Sequence, residues 1–300
     1  MNTILAPSRP VVGEPNTGDP STAKLDVWSS SNSSHVNGET TSAERRAVIV
    51  KEPGKSGEDP IDVTPKDFSV RTLAQEYGGG DFCISGDTLI FSNYKDQRLY
   101  KQSISSTVSN IIFDGDTISF MYIFGFIAAA HLEGWPWLSD SAPLPLTPDY
   151  GGLSVCYADG VVDFQFNRYV TVREDQRESG INAITTIVSI DLSSNNAQEP
   201  RLLVGGNDFY ASPRIDPKGE RMAWIEWGHP NMPWDRSELW VGYISHNGDV
   251  QKRICVAGGD PTLVESPTEP QWSSQGSLYL KMGLGGSGLC CGRNCDSSWN

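Results

Sequence analysis

A unit of short strands and tight turns recurs along this chain at intervals of about 50 residues, and that period limits the possible folds more than any other feature. The clearest copy begins at Ser212. Residues 212–219 read as a strand closing in the turn Asp216-Pro217-Lys218-Gly219. Residues 221–227, 238–244 and 251–257 supply three further strands. An earlier copy runs through Gly160-Val161-Val162-Asp163, then residues 168–174, 185–192 and 201–204. A still earlier one holds residues 81–85, the turn Gly86-Asp87, residues 88–92 and residues 97–102. A fourth opens at Glu269-Pro270-Gln271-Trp272. Four short strands per repeat at this period predict the blades of a β-propeller, about three to four of them, in an all-β chain. A β-sandwich also has short strands and turns, but not the recurring Pro-x-apolar turn that ends in glycine.

Strands begin before the repeats. Residues 47–51 are β-branched, and residues 68–73 alternate apolar and polar, so both read as strands. Residues 1–43 are rich in Ser, Asn, Pro, Gly and Thr without apolar periodicity, and are expected to be disordered or aberrant. The partial propeller is expected over 44–280, interrupted at 107–139. That interruption holds the most apolar run of the chain, residues 118–130, which is shorter than the roughly 20 residues of a membrane span. Residues 281–300 read as an aberrant, unstructured tail. The insert and the tail fit either splicing and frame errors or, for the insert, a genuine lineage-specific insertion.

Charge narrows the partners. The net charge is −14 and the pI about 4.7, which argues against nucleic acid. The start lacks the apolar core of a secretory signal, so an intracellular location is expected. Cys83, Cys156 and Cys255 sit singly among apolar residues, as buried free thiols do. Cys290, Cys291 and Cys295 crowd the end without a fourth ligand at matching spacing, a poor zinc set, so no metal and no cofactor are expected.

Candidate chemistry is sparse. Gly285-Gly286-Ser287-Gly288-Leu289 approaches a nucleophile elbow but ends in Leu, and no catalytic residue is assigned. Two segments remain as tentative substrate contacts. Glu76 and Tyr77 precede three glycines. There a carboxylate can pair with a peptide's amino terminus or cap backbone amides. His229, Asn231, Trp234 and Asp235 share a loop with two prolines, which suits a substrate-facing rim or a locked structural turn equally. Residues 173–177 form a mixed charge run that reads most simply as a solvated hairpin. Trp224, Trp227 and Trp240 read as packing between blades.

Several long motifs carry a resemblance. Glu76-Tyr77-Gly78-Gly79-Gly80, residues 91–100, Leu146-Thr147-Pro148-Asp149-Tyr150-Gly151, residues 168–175, 205–210, 224–244 and 258–270 resemble the plant acylaminoacyl-peptidase-like branch of the prolyl oligopeptidase family. The resemblance covers about 44–106 and 140–276. It implies a propeller that caps an α/β-hydrolase domain and gates short peptide substrates, in the cytoplasm or chloroplast. The serine nucleophile, Asp and His would lie in that hydrolase domain, downstream of the propeller. The chain alone is then expected to be inactive, with short peptides and a catalytic hydrolase domain or subunit as partners, and no membrane. The alternative is a non-catalytic propeller module that binds peptides or a partner protein.

Overall fold

The computed structural model describes residues 25–30, 46–51, 61–75, 80–104, 142–178, 182–283 and 289–293. Every named element among them is a strand. The insert core at 118–130 and the N-terminal 24 residues lie outside the described residues. The chain divides into two compact units: residues 1–69, 84–90 and 101–144, and residues 70–83, 91–100 and 145–300.

In the first unit, β1 (Leu25–Ser30), β2 (Arg46–Lys51) and β3 (Ile61–Asp62) form an antiparallel sheet in that order. Strand β1 pairs with β2 over six residues, although it lies in a stretch whose composition gives no strand signal. Arg46 fixes the edge of this sheet by donating to the carbonyls of Thr64, Pro65 and Phe68 and to Asp62 Oδ2 at 2.6 Å.

A four-stranded sheet follows, β4 (Phe82–Ser85), β5 (Thr88–Ser92), β6 (Leu99–Ser103) and β7 (Leu144–Pro145), its residues shared between the units. The second unit adds a sheet of β8 (Val155–Asp163), β9 (Arg168–Asp175), β10 (Ile184–Asp191) and β11 (Arg201–Val204). Next comes β12 (Phe209–Ile215), β13 (Arg221–Trp227), β14 (Glu238–Ile244) and β15 (Val250–Ala257). Last is a three-stranded sheet of β16 (Ser266–Trp272), β17 (Leu278–Gly283) and β18 (Leu289–Arg293). Each sheet is an antiparallel meander in chain order, the architecture of propeller blades. The described residues thus hold five sheets, one of them (β1–β3) ahead of the copies that recur in sequence.

The sheets of the second unit pack face to face. Val170, Val172 and Ile187 of one sheet meet Tyr210, Met222 and Trp224 of the next. The other face of that next sheet sets Ala223, Ile225 and Trp227 against Leu278 and Leu280. A middle strand such as β9 is therefore covered on both faces, and its sequence lacks the clean alternation of a half-solvated strand. Trp224 is fully buried in the first of these clusters and Trp227 belongs to the second, as inter-blade packing requires.

A buried ion pair closes the first turn of two successive sheets. Asp163 Oδ2 accepts from Arg168 Nε at 2.9 Å, and Asp216 Oδ2 accepts from Arg221 Nε at 2.9 Å, each pair five residues apart. Both aspartate side chains are completely buried. Each arginine then reaches the following sheet. Arg168 Nη1 donates to Gly248 O at 2.7 Å, and Arg221 Nη2 donates to Gly276 O at 2.9 Å. The guanidinium of Arg168 lies over Phe166 and that of Arg221 over Trp272.

A second device repeats in the first strand of each sheet of this unit. The register shifts between Ala158 and Val161, between Ala211 and Arg214, and between Thr268 and Gln271. Asp159, Ser212 and Glu269 sit at these bulges with φ of 55°, 51° and 50°, a conformation costly for non-glycine residues. Asp159 is stabilised there by accepting from Gly80 N at 2.7 Å and Ser212 N at 3.2 Å. Gly160 follows it because a Cβ would stand 1.9 Å from the ring of buried Tyr169.

Residues 68–73 depart from the strand expectation. Only Val70 makes a bridge, to Asn93. The remaining amides are taken elsewhere: Arg71 N by Ser92 O, Thr72 N by Asp81 Oδ1 at 2.7 Å and Leu73 N by Gln97 Oε1 at 2.8 Å. Side chains have replaced the ladder partner. Cys83, Cys156 and Cys255 form no disulfide, and burial pushes their thiols up to about 11, 12 and 11, away from reactivity.

Two outcomes follow from these contacts. Replacing Asp216 with Ala strands Arg221 in a half-closed turn, and the urea midpoint should fall by an amount worth about 3 kcal/mol. Replacing both Asp216 and Arg221 with apolar residues should cost less than the single change. Burial, reinforced by neighbouring Asp159 and opposed by Thr72 N and Arg71, raises Asp81 from 3.8 to about 6. The folded state therefore holds that proton more tightly than the unfolded chain, and stability falls as pH rises from about 4 to about 6. The Asp81→Asn variant should gain on the wild type across that window and keep a constant lead above it, as read by denaturation at each pH.

Candidate functional site

Glu76 and Tyr77 lie outside the described residues, but the residues on either side of their glycine-rich stretch are firmly held. Gln75 takes φ 56°. Its amide donates to Glu174 Oε2 at 2.6 Å, and its Nε2 donates to Tyr210 O at 2.6 Å. On the far side, Gly80 N donates to Asp159 Oδ1, and Gly80 O accepts from Asp159 N at 3.0 Å. Glu174 thus leaves the solvated-hairpin reading of residues 173–177: it is 7% exposed at the end of β9. Within the rest of that run Arg177 Nη2 meets Asp175 Oδ2 at 2.7 Å with its guanidinium over Tyr150, and Arg173 pairs with Glu199 at 3.4 Å.

The other candidate loop leaves β13 at Gly228. Asn207 and Asp208 crowd this glycine, where a Cβ would stand 2.8 Å from Asn207 Oδ1. His229 N donates to Asp208 Oδ2 at 2.8 Å, and the His229–Pro230 peptide is cis. The imidazole meets Phe209 edge-on, with ring centroids 5.0 Å apart, and Phe209 stacks on Trp227 at 5.3 Å. The stack grades outward from buried Trp227 through half-buried Phe209 to exposed His229. Asn231 turns back on its own loop, Nδ2 donating to Gly228 O. Trp234, 62% exposed, and Asp235 stand in solvent at the loop's other end, where Pro233 O accepts from Ser266 Oγ at 2.6 Å.

A hydrogen-bonded chain joins the two segments. Gln75 bridges Glu174 to the Tyr210 carbonyl. The Tyr210 hydroxyl accepts from Asn207 N at 2.7 Å, and Asn207 Nδ2 donates to Glu226 Oε1 at 3.1 Å. Glu226 also accepts from Trp224 Nε1 at 2.7 Å. Burial raises the Tyr210 phenol above its usual range, with the Asn207 amide opposing and the Glu226 charge reinforcing. The structure therefore brings His229 together with Asp208, Phe209 and Trp227, and ties the flank of the Glu76 stretch to Glu174. Among the described residues Asp235 is not hydrogen-bonded to this network. Gln75, Asn207, Asp208 and Glu226 were not singled out as site residues from sequence, and Glu174 was read within the mixed charge run, for which channel lining was the lesser alternative to a solvated hairpin. The only cue was the Gly205-Gly206-Asn207-Asp208 turn, whose amide and carboxylate close on the next strand pair.

This arrangement gathers acceptors (Glu174, Glu226 and Asp208) beside an aromatic stack. Among the described residues no group of three His, Cys, Asp or Glu side chains is placed to hold a metal. Among the described residues no hydroxyl or thiol is hydrogen-bonded to the His229 ring. The arrangement can offer carboxylates to a cationic group and rings to an apolar one.

No family model and no curated protein matches the chain. Solved structures do. A puromycin-hydrolyzing peptidase of Mycobacterium tuberculosis matches at 24% identity and a TM-score of 0.66, over 91% of this chain and 36% of that one. A puromycin hydrolase matches at 20% identity and 0.61, over 89% and 37%. An oligogalacturonate lyase in complex with manganese reaches 0.50 at 11% identity, over 84% and 56%. At these identities the likeness is one of fold, and the lyase illustrates that the fold alone does not select an activity. The chain has the antiparallel, propeller-type fold of these proteins and spans about a third of the length of the two peptidases.

Proposed function

We propose that this chain is the substrate-gating propeller portion of a serine-type exopeptidase or oligopeptidase of the prolyl oligopeptidase family, in its plant acylaminoacyl-peptidase-like branch, acting on short peptides. The observation that carries the reading is the acceptor network of Glu174, Glu226 and Asp208, in a fold shared over 91% of this chain with a peptidase's propeller region. In this reading Glu174 and Asp208 attract a peptide's amino terminus, and the His229–Phe209 stack receives its first side chain. Glu76, Tyr77, Asn231, Trp234 and Asp235 are proposed as further peptide contacts, on the strength of the sequence. Hydrolysis belongs to a catalytic hydrolase domain or subunit, and the propeller supplies selection by access.

A second reading, a non-catalytic module that binds peptides or a partner protein, is favoured by the continuous stacking of three sheets in the second unit. Those sheets bury two apolar clusters and two ion pairs among their own residues. Both readings require peptide binding, and they differ in whether catalysis is coupled to it.

The chain should bind a tripeptide with a free amino terminus and bind its N-acetylated form about tenfold more weakly, since a charge-assisted contact is lost. Calorimetry on the wild type and on Glu174→Gln and His229→Ala checks this. Glu174→Gln should weaken the free peptide and leave the acetylated one nearly unchanged, whereas His229→Ala should weaken both. Equal affinity for the two peptides would remove the amino-terminus role.

A further inference from the structure

The loop that leaves β13 sets two different groups against a single residue. Asp208 Oδ2 accepts from the His229 amide at 2.8 Å, and the Phe209 ring meets the His229 imidazole with centroids 5.0 Å apart. A carboxylate therefore lies at the main-chain nitrogen of His229 and an aromatic ring at the end of its side chain. Within that residue only Cα and Cβ separate the two positions. An aromatic amino acid with a free ammonium group has the same spacing.

Both groups reach solvent. Asp208 and His229 are exposed, and Phe209 is half-buried. Asp208 Oδ1 accepts no hydrogen bond among the described residues, so the carboxylate retains an acceptor. The Phe209 and His229 ring planes meet at 72°, whereas Phe209 and buried Trp227 are nearly parallel at 13°. Trp227 thus backs Phe209, and the imidazole stands across it as the second wall of a corner. A third ring can lie offset on one wall and turn its positive edge to the negative face of the other. A saturated ring of similar size has no such quadrupole.

The corner is held in place by the protein itself. Phe209 and Trp227 are direct partners in the register of β12 with β13. Gly228 lets Asn207 and Asp208 approach, since a Cβ there would stand 2.8 Å from Asn207 Oδ1. The amide and Nδ2 of Asn231 both donate to Gly228 O, at 3.1 and 3.3 Å. Walls fixed in this way lose little freedom when a ligand arrives.

We propose that this corner selects peptides whose first residue is aromatic. The ammonium group meets Asp208 Oδ1, and the first side chain lies against the His229 and Phe209 rings. The inference rests on the peptide-binding reading above and narrows it to a substrate class.

The test is calorimetry on the whole chain with phenylalanyl-glycyl-glycine, its cyclohexylalanyl counterpart and the N-acetylated phenylalanyl peptide. The phenylalanyl peptide should bind about fivefold more tightly than the cyclohexylalanyl one, because the two side chains match in size and differ in ring–ring attraction. His229→Leu, at an exposed ring, should remove most of that ratio, and so should Phe209→Leu. Asp208→Asn should weaken the free phenylalanyl peptide and spare the acetylated one. In NMR spectra the phenylalanyl peptide should shift the His229 ring signals through its ring current, and the cyclohexylalanyl peptide should leave them nearly in place. Equal affinity for the two free peptides, a ratio indifferent to both leucine variants, or an Asp208→Asn variant without effect would each overturn the proposal. If acetylation still weakens binding in those cases, the amino-terminus reading stands without it. Loss of the acetylation effect, or no binding of any peptide, overturns that reading and the inference with it.

Discussion

The closure of a strand turn by a buried aspartate–arginine pair is the contact on which the second unit depends. Asp163 with Arg168, and Asp216 with Arg221, each do two things at once. The carboxylate organises its own turn, as where Asp216 Oδ1 also accepts the amides of Glu220 and Arg221. The guanidinium carries the bond onward to a glycine carbonyl in the following sheet. Apolar packing between sheets is strong but nondirectional. The ion pairs are directional, and in a buried setting their geometry fixes how far one sheet turns against the next. Net stability from such pairs is small, and their value lies in specifying one arrangement.

The bulges of β8, β12 and β16 complement this within the first strand of each sheet, in β8 and β12 a few residues ahead of the paired aspartate. An extra residue in the first strand bends it and turns a side chain or amide toward the neighbouring sheet. Asp159 uses its bulge to hold Gly80 and Ser212 together, which links three separate segments through one carboxylate. Ser212 and Glu269 have the same backbone conformation with different side chains. The shared element is therefore the backbone path, and each side chain is free to take a local role.

This explains what could be read in the sequence. The strands of the recurring unit were legible because turns with Gly or Pro bound short apolar runs, and the Asp and Arg of each first turn recur at the 53-residue offset that also separates Asp159 from Ser212. The bulges were not legible, since Asp, Ser and Glu share no chemistry that marks a left-handed residue. Residues 68–73 alternate like a strand, yet Asp81 and Gln97 supply the acceptors that a neighbouring strand would have supplied. Glu174 looked like part of a solvated charge run because its partner, the Gln75 amide, is 99 residues away. At the candidate site, the His229 loop could be located from its prolines and rings. Its attachment to Asp208 and Phe209 required the pairing of β12 with β13, which brings Phe209 opposite Trp227.

The ion-paired turns also bear on how such a chain can change over evolutionary time. A turn in which residue i must meet residue i+5, and the second of them must meet the next sheet, has no room for an inserted residue. The connections at the opposite end carry no such double constraint: residues 205–208, 228–237 and 258–265 differ in length, and successive ones are joined where His229 N donates to Asp208 Oδ2 and Ser237 N to Glu265 O. Variation in loop length is thereby kept out of the two paired turns, while even at their own end of the sheets the β10–β11 and β14–β15 connections, 192–200 and 245–249, differ in length. New ligand preferences can accumulate in those other loops by lengthening or shortening, while the register between sheets is preserved by the two turns that cannot vary.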